Sequence, residues 1–284
     1  MLETPGLRQR AENQVLTELR IAHDEGTARL LINQKHRFFF DHPQDHVPGL
    51  LLLEGGHQLA ERLLPAGEWL ASELQACFSK YCLFDSPVKV QGKRSPLDEG
   101  WQCEIVIAQR LQVRASMHWV FIPMPPTRVV QLHSTAEVPV EKALVNKKRL
   151  ENVMIGQPYT FQPTGHECHA LLPHPANLLA DSRQQTHPLY LLEAFMQLQR
   201  SLNYAQPVRL RDILLGISMQ VFKPLAVGSA FHLQMEPQLD NGEARYFNRG
   251  ADLWAAGQRF ARCEMHSGRI QRKKHTVTQG SSAE

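Results

Sequence analysis

Two segments of the chain place leucines on every side of a helix. They are LLLLEGGHQLAERL at residues 50–63 and LYLLEAFMQLQRSL at residues 189–202, and each has four consecutive apolar or aromatic residues before a glutamate. Four consecutive positions spread around the whole helix axis, so each predicted helix is buried on more than one side. The segments align at a constant offset of 139 residues, which pairs Glu54 with Glu193. Leucine-rich helices can match by chance, but the segments that follow favour an internal repeat.

Alternating apolar and polar residues follow each helix. After the first helix they occupy 86–92, 101–111 and 113–123, and after the second 211–225, 229–239 and 244–266. This alternation, with the turn signals SPLDEG and DNGEA, predicts antiparallel strands. The fold class is therefore α+β, with one helix across the concave face of an antiparallel sheet in each half. The two helices are expected to lie back to back, which brings both glutamates near the seam.

The chain divides into four predicted parts. Residues 1–26 form a polar helical extension, 27–125 the first repeat, 126–270 the second repeat and 271–284 a flexible tail. The proline-rich PMPPT near residue 125 joins the two repeats.

Composition and charge narrow the function classes. The 284 residues are 43% hydrophobic and carry a net charge of +3, which suits a globular core and gives no reason to expect nucleic-acid binding. No stretch approaches the roughly 18 apolar residues of a membrane span, and the polar N-terminus does not resemble a secretory signal. The five scattered cysteines indicate reduced thiols, so we expect a cytoplasmic protein.

The environment of Glu54 has two interpretations. Glu54, His57, Gln58 and Glu61 recur at helical spacing, which is typical of a solvated stripe. The leucines before Glu54 and the matching Glu193 favour instead a buried carboxylate that can act as an acid or base.

The helix starts resemble two related families. PGLLLLEGGHQ at 48–58 is similar to the helix start of hot-dog 3-hydroxyacyl-carrier-protein dehydratases. The longer HRFFFDHPQDHVPGLLLLEGGHQ at 36–58 resembles the AfsA family, and 143–155 and 187–197 resemble that family's other repeat. The resemblance implies a tandem hot-dog fold. It also implies transfer of a β-ketoacyl group from carrier protein to dihydroxyacetone phosphate, as in the synthesis of γ-butyrolactone signals.

The chain departs from the AfsA pattern in two ways. Its two repeats stand in exchanged order. His57 and Met196 also occupy positions where family helices commonly carry arginine, which weakens the case for a phosphorylated acceptor. The lysines of NKKR at 146–149 could bind phosphate instead, although such turns are usually solvated.

The resemblance implies roles for four residues. Gly49, at the helix start, would hold the thioester carbonyl oxygen on backbone N–H groups, and Glu54 and Glu193 would supply the carboxylates. His42 would assist proton transfer, but it lies two residues closer to Glu54 than the dehydratase pattern has it, which puts dehydration in doubt. Substrate-binding residues would be His46, His57, Gln58, His187 and Gln197.

The same resemblance predicts contacts between the halves. His42 would face Glu193, while Glu54 would face a second-half group such as His174 or His187. Asp45 and His46 have an alternative role as turn formers before the helix.

Neither a metal nor a redox cofactor is predicted. In HECH at 166–169 only two ligands share one face of an extended chain, and zinc requires three or four. The expected partners are an acyl carrier protein or acyl-CoA and a small hydroxylated acceptor, and a homodimer is left open. A dehydratase or thioesterase, and a non-catalytic acyl-binding protein, remain the alternatives.

Overall fold

The computed structural model describes residues 8–132, 137–161, 165–182, 186–204, 211–236 and 246–270. Within these ranges the chain forms one twelve-stranded antiparallel sheet and two α-helices. The predicted tail at 271–284 lies outside the described residues.

The strands fall into two groups by sequence. The first group is β1 Leu16–Ala22, β2 Glu25–Leu30, β3 Trp69–Phe78, β4 Val88–Leu97, β5 Gly100–Gln109 and β6 Gln112–Pro123. The second group is β7 Tyr159–Phe161, β8 Gly165–His169, β9 Arg211–Val221, β10 His232–Met235, β11 Tyr246–Ala255 and β12 Gln258–Ile270. The sheet order is β1-β2-β4-β5-β6-β3-β9-β12-β11-β10-β8-β7, so the groups meet only where β3 pairs with β9.

Each half contains one central helix. Helix α1 spans Gly49–Leu63 and α2 spans Pro188–Tyr204. Both helices are buried on nearly all sides over their first three turns, α1 packs against β2, β4, β5 and β6, and the helices contact each other. The predicted helices and the α+β tandem hot-dog architecture are therefore confirmed.

Two glycines let α1 approach its sheet closely. A side chain on Gly55 would collide with Leu30 of β2, and one on Gly56 would collide with Met117 of β6. The matching positions of α2 are Ala194 and Phe195, so the second half packs its helix differently.

The strands predicted after each helix are confirmed, but β3 was not among them. WLASELQACF does not alternate strictly between apolar and polar residues. In the structure β3 pairs with a strand on each side and carries an irregularity between Ala71 and Glu73. This unpredicted strand supplies the first half's side of the seam.

The prediction of an N-terminal helix is wrong for the described part of 1–26. Only Ala11–Asn13 is helical, as a single 3-10 turn, and β1 and β2 then form a hairpin that pairs with β4. Sheet pairing and burial of Ala28 and Leu30 outweigh the weak helix propensity of the polar sequence.

Two short basic segments cross between the halves. They are RQRAEN at 8–13 and KKRLEN at 147–152, again 139 residues apart. In the first, two backbone amides and the closing asparagine donate to Asp181 of the second half. In the second, two backbone amides and the closing asparagine donate to Asp41 of the first half. The two halves thus hold each other through reciprocal contacts.

All five cysteines are free thiols, of which only Cys77 is exposed. No helix in the described ranges combines the length and hydropathy needed to cross a bilayer.

Candidate active site

The first acid site is built around Glu54 of α1. Its side chain has no exposed surface, so the interpretation of a solvated stripe is wrong for this residue. Arg8 Nε donates to Oε1 at 2.7 Å, and Gln58 Nε2 donates to the same oxygen at 2.6 Å. The other oxygen, Oε2, lies 3.3 Å from His187 Nε2. Residues from both halves therefore form this site.

The surroundings of Glu54 favour its charged form. Burial alone would raise its pKa, but the positive charge of Arg8 and the nearby His187 outweigh burial and hold the pKa well below its usual value. Glu54 is consequently a carboxylate near neutral pH.

His57 lies one turn further along α1 and is also buried. Its ring packs on Trp119 with centroids 4.8 Å apart, and its Nδ1 is 3.0 Å from Arg8 Nη2. Burial, with the charge of Arg8, lowers the pKa of His57 to about 4, and Glu61 opposes this only in part. His57 is thus a neutral imidazole.

His187 approaches Glu54 from the start of α2. Its Nδ1 accepts a hydrogen bond from the backbone N–H of Leu189 at 3.2 Å. The structure places this histidine, and not His174, against Glu54. His174 is exposed, and its ring accepts from the backbone of Ala176.

Three polar atoms of this site have no hydrogen-bond partner among the described residues. They are Glu54 Oε2, His57 Nε2 and His187 Nε2, all of them buried. One ligand atom from each residue also lies within 4.8 Å of the others, which is a donor set of the kind that binds transition metals. Both Nδ1 atoms, however, accept from N–H groups, so each neutral ring carries its proton on Nε2. Protonated Nε2 atoms beside an arginine suit a ligand that accepts hydrogen bonds better than a cation.

The second acid site is built around Glu193 of α2. Its carboxylate is also fully buried, and it is bound by Lys147 Nζ at 2.6 Å and Gln197 Nε2 at 2.7 Å. Burial would raise the pKa of Glu193, but Lys147, the charge of Arg200 and the hydrogen bond from Gln197 together outweigh burial, so the pKa is lowered. At the 139-residue offset, Met196 stands where the first site has His57, and Pro48 where it has His187.

Gln58 and Gln197 hold the helices to the two crossing segments. Gln58 accepts from the backbone N–H of Val15, and its amide donates to the Asn13 carbonyl and to Glu54. Gln197 makes the equivalent contacts with Met154, Asn152 and Glu193. Both amide protons of each glutamine are used within the protein, so the predicted substrate-binding role finds no free donor there.

His42 and His46 have hydrogen-bond partners other than the two buried carboxylates. His42 contacts Gln44 and Asn146, and no hydrogen bond joins it to Glu193 in the described ranges. Its place opposite Glu193 stays a prediction. Burial and the charge of Lys147 lower the pKa of His42. His46 bonds the exposed Asp45 at 2.5 Å, as expected of a turn former.

Gly49 begins α1 and is half-buried. An added Cβ would meet only Phe78 and Leu214 at ordinary contact distances. Space alone therefore does not require glycine, and its role at a carbonyl oxygen stays a prediction.

Arg8 is the site residue that sequence reasoning missed. In the sequence, the lack of an arginine at position 57 counts against a phosphorylated acceptor. In the structure, Arg8 brings a guanidinium next to His57 from outside the helix. The signal was present, because Arg8 and Lys147 are separated by the same 139 residues as the two glutamates. Lys147 is correspondingly committed to Glu193 and is not a free phosphate ligand.

Apolar side chains close the space beside His187. Leu70, Pro188, Leu191 and Phe260 surround a gap of about 10 Å³, which is the room of one water molecule. An acyl chain entering between helix and sheet would have to separate these side chains.

A comparison with protein families confirms the resemblance to AfsA over the first helix and its lead-in. Residues 7–68 match the family model described as the A-factor biosynthesis hotdog domain. The chain is similar to 2-oxo-3-(phosphooxy)propyl 3-oxoalkanoate synthase of Streptomyces virginiae, with 35% identity over 24% of this chain and 23% of the relative. It is similar to the synthase of that name from Streptomyces coelicolor, with 35% identity over 31% and 27%. The matching segments therefore span about a quarter of these relatives.

Solved structures resemble the chain over nearly its whole length. An acyl-CoA thioesterase II from Mycobacterium marinum has a TM-score of 0.55 at 12% identity and covers 93% of this chain and 98% of its own. The dehydratase domain from the CurJ module of curacin polyketide synthase has a TM-score of 0.58 at 14% identity and covers 90% and 97%. At such identities these structures support the fold alone.

Proposed function

We propose that the protein is an acyltransferase that moves an acyl group from a thioester to a small hydroxylated acceptor at the Glu54 site. The observation that carries the proposal is the ionised Glu54 carboxylate, fully buried where the two halves meet. A buried carboxylate with one oxygen unoccupied can accept a hydroxyl proton out of competition with bulk water.

The reaction balances without a further reagent. The acceptor hydroxyl gives its proton to Glu54 as its oxygen attacks the thioester carbonyl. The C–S bond then breaks, and the proton passes from Glu54 to the departing thiolate, which leaves an ester and a free thiol. Because its pKa is held low, Glu54 is a weak base, so it accepts the proton only as the hydroxyl oxygen bonds to the carbonyl carbon, and it returns the proton readily to the thiolate.

The acyl donor is an acyl carrier protein or acyl-CoA, and the acyl group is a β-ketoacyl chain. The β-ketoacyl group is inferred from the name of the matching Streptomyces relatives, 2-oxo-3-(phosphooxy)propyl 3-oxoalkanoate synthase. The thioester donor is inferred from the resemblance of the helix starts to families that act on acyl carrier proteins. The same name favours dihydroxyacetone phosphate as the acceptor. Secondary-metabolite or signal synthesis would be the context.

The test is incubation of the protein with a β-ketoacyl thioester, with and without dihydroxyacetone phosphate, followed by mass spectrometry of the products. A phosphorylated β-ketoester that forms only with acceptor present is the expected result. Free β-keto acid in both arms would indicate a thioesterase, and unchanged, tightly bound thioester a non-catalytic acyl-binding protein. A third arm with a 3-hydroxyacyl thioester would reveal a dehydratase through loss of water.

A further inference from the structure

We propose that His57 and His187 together bind the thioester carbonyl oxygen through their Nε2–H groups, as a pair of neutral donors with one from each half. This inference rests on the proposed function, because it assigns the electrophilic half of the same reaction. It moves the carbonyl-binding role from the backbone at Gly49 to two side chains.

The hydrogen bonds of His57 fix its proton. An arginine is always a donor, so Nδ1, 3.0 Å from Arg8 Nη2, must be the accepting nitrogen. The imidazole proton is then on Nε2, where no described residue accepts it. A buried, unpaired N–H destabilises the folded state, and a purely structural side chain would have no reason to retain it.

The backbone fixes His187 in the same tautomer. The Leu189 N–H belongs to the first turn of α2 and donates to Nδ1, so the ring acts both as a cap on the helix and as a donor through Nε2. Its Nε2 lies 3.3 Å from Glu54 Oε2 but without the alignment of a hydrogen bond. This donor is therefore available to a substrate oxygen.

The two rings lie close together in the interior of the protein. Their centroids are 5.7 Å apart, and a ring nitrogen of each lies within 4.8 Å of a carboxylate oxygen of Glu54. A carbonyl oxygen has two lone pairs and can accept both N–H groups, while the attacking hydroxyl contacts Glu54. Neutral donors are the appropriate kind here, because an imidazolium would pair with Glu54 and remove the base. Loss of one such donor from an oxyanion site slows the chemical step by about 10²–10³-fold.

The first test measures the tautomers directly. Histidine labelled with ¹⁵N is incorporated into the full chain, and the two rings are assigned by loss of signal in His57→Gln and His187→Asn. Both rings should show a protonated Nε2 and an unprotonated Nδ1 near pH 7. A protonated Nδ1, or an imidazolium, on either ring would overturn the proposal. Addition of Zn²⁺ should leave both sets of signals in place, and a shift of both would show a metal site instead.

The second test separates binding from chemistry. His57→Phe keeps a ring against Trp119 but removes the donor, and it should lower kcat by about 100-fold with KM changed by less than a few-fold. His57→Gln returns an N–H group and should recover part of that loss. Equal rates for Phe and Gln would contradict the donor role. If the unaltered protein transfers no acyl group, the proposed function fails, while the NMR result still decides the state of the two rings.

Discussion

The two acid sites share one framework and differ in what surrounds the carboxylate. Each has a buried glutamate, a glutamine one turn later and a cation from a crossing basic segment. The first site adds two histidines at the positions that Met196 and Pro48 occupy in the second. Each carboxylate has a cation and an amide on one oxygen and leaves its other oxygen unpaired among the described residues. What differs is that the rings of His57 and His187 lie beside the first carboxylate. The glutamate, glutamine and cation that the sites share serve the fold, and the two additional histidines make the Glu54 site the candidate for catalysis.

The largest expected difference is in the response to loss of the carboxylate charge. Glu54→Gln should lower acyl transfer by about 100-fold or more, because the base is lost. Glu193→Gln is the matched control, since it removes the same charge beside one cation, and activity per folded molecule should stay within about threefold. Rates are normalised to the folded fraction measured by circular dichroism. Equal losses in both variants would remove the distinction between the sites.

The second site is expected to control stability. Lys147→Met leaves the buried Glu193 without its cation and should lower the free energy of unfolding by about 3–5 kcal/mol. Lys147→Met combined with Glu193→Gln removes both charges and should regain most of that loss. Urea denaturation measures all three proteins. A single variant as stable as the parent would show that the ion pair contributes little.

His57, which has no counterpart in the second site, should make the free energy of unfolding depend on pH. Its pKa falls from 6.5 to about 4 on folding. Between these values the unfolded chain binds a proton that the folded chain does not, so the free energy of unfolding decreases as pH falls, by at most about 1.4 kcal/mol per pH unit. Glu54 adds a loss at lower pH, because its folded pKa is below the unfolded value.

His57→Met gives the first site the residue of the second and should flatten the stability profile in that window. Denaturation between pH 4.5 and pH 6.5, a range set inside the two pKa values, compares the slopes. Parallel profiles for the variant and the parent would show that His57 is already protonated in the folded state.

The smallest effect is expected when one histidine is added to the second site. Met196→His supplies a counterpart of His57, but Pro48 still stands in place of a second donor and Lys147 still engages the carboxylate. In a Glu54→Gln background this change should produce no measurable transfer above that background. A gain of activity would mean that one histidine is sufficient for acyl transfer and that the second site can carry out the reaction once this residue is present.

The sequence predicts well what depends on local pattern. The leucines before Glu54 and Glu193 predict two buried helices, and alternation predicts the strands that follow, because burial on a helix or a sheet leaves a regular period. The same reasoning fails where partners are distant. Arg8 reaches Glu54 across 46 residues of chain, and nothing near Arg8 signals burial.

Two errors have the same physical origin. The polar residues before β2 resemble a solvated helix in sequence, but in the structure they form a hairpin that pairs with β4. The sequence of β3 lacks a regular period, and its place in the sheet is set by pairing with β6 and β9. His187 was one of two candidates for Glu54, and only the turn into α2 decides between it and His174. Tertiary pairing, which local sequence cannot encode, supplies the missing information.

The reciprocal hold of Asp41 and Asp181 on the two crossing segments has an evolutionary reading. Contacts that run from each half to the other in the same way are those of an isologous interface between identical subunits. A symmetric homodimer carries every substitution twice, so its two pockets must change together. Joining the copies in one polypeptide removes that constraint. The Glu193 site can then change towards a purely structural role while the Glu54 site keeps its reactive groups.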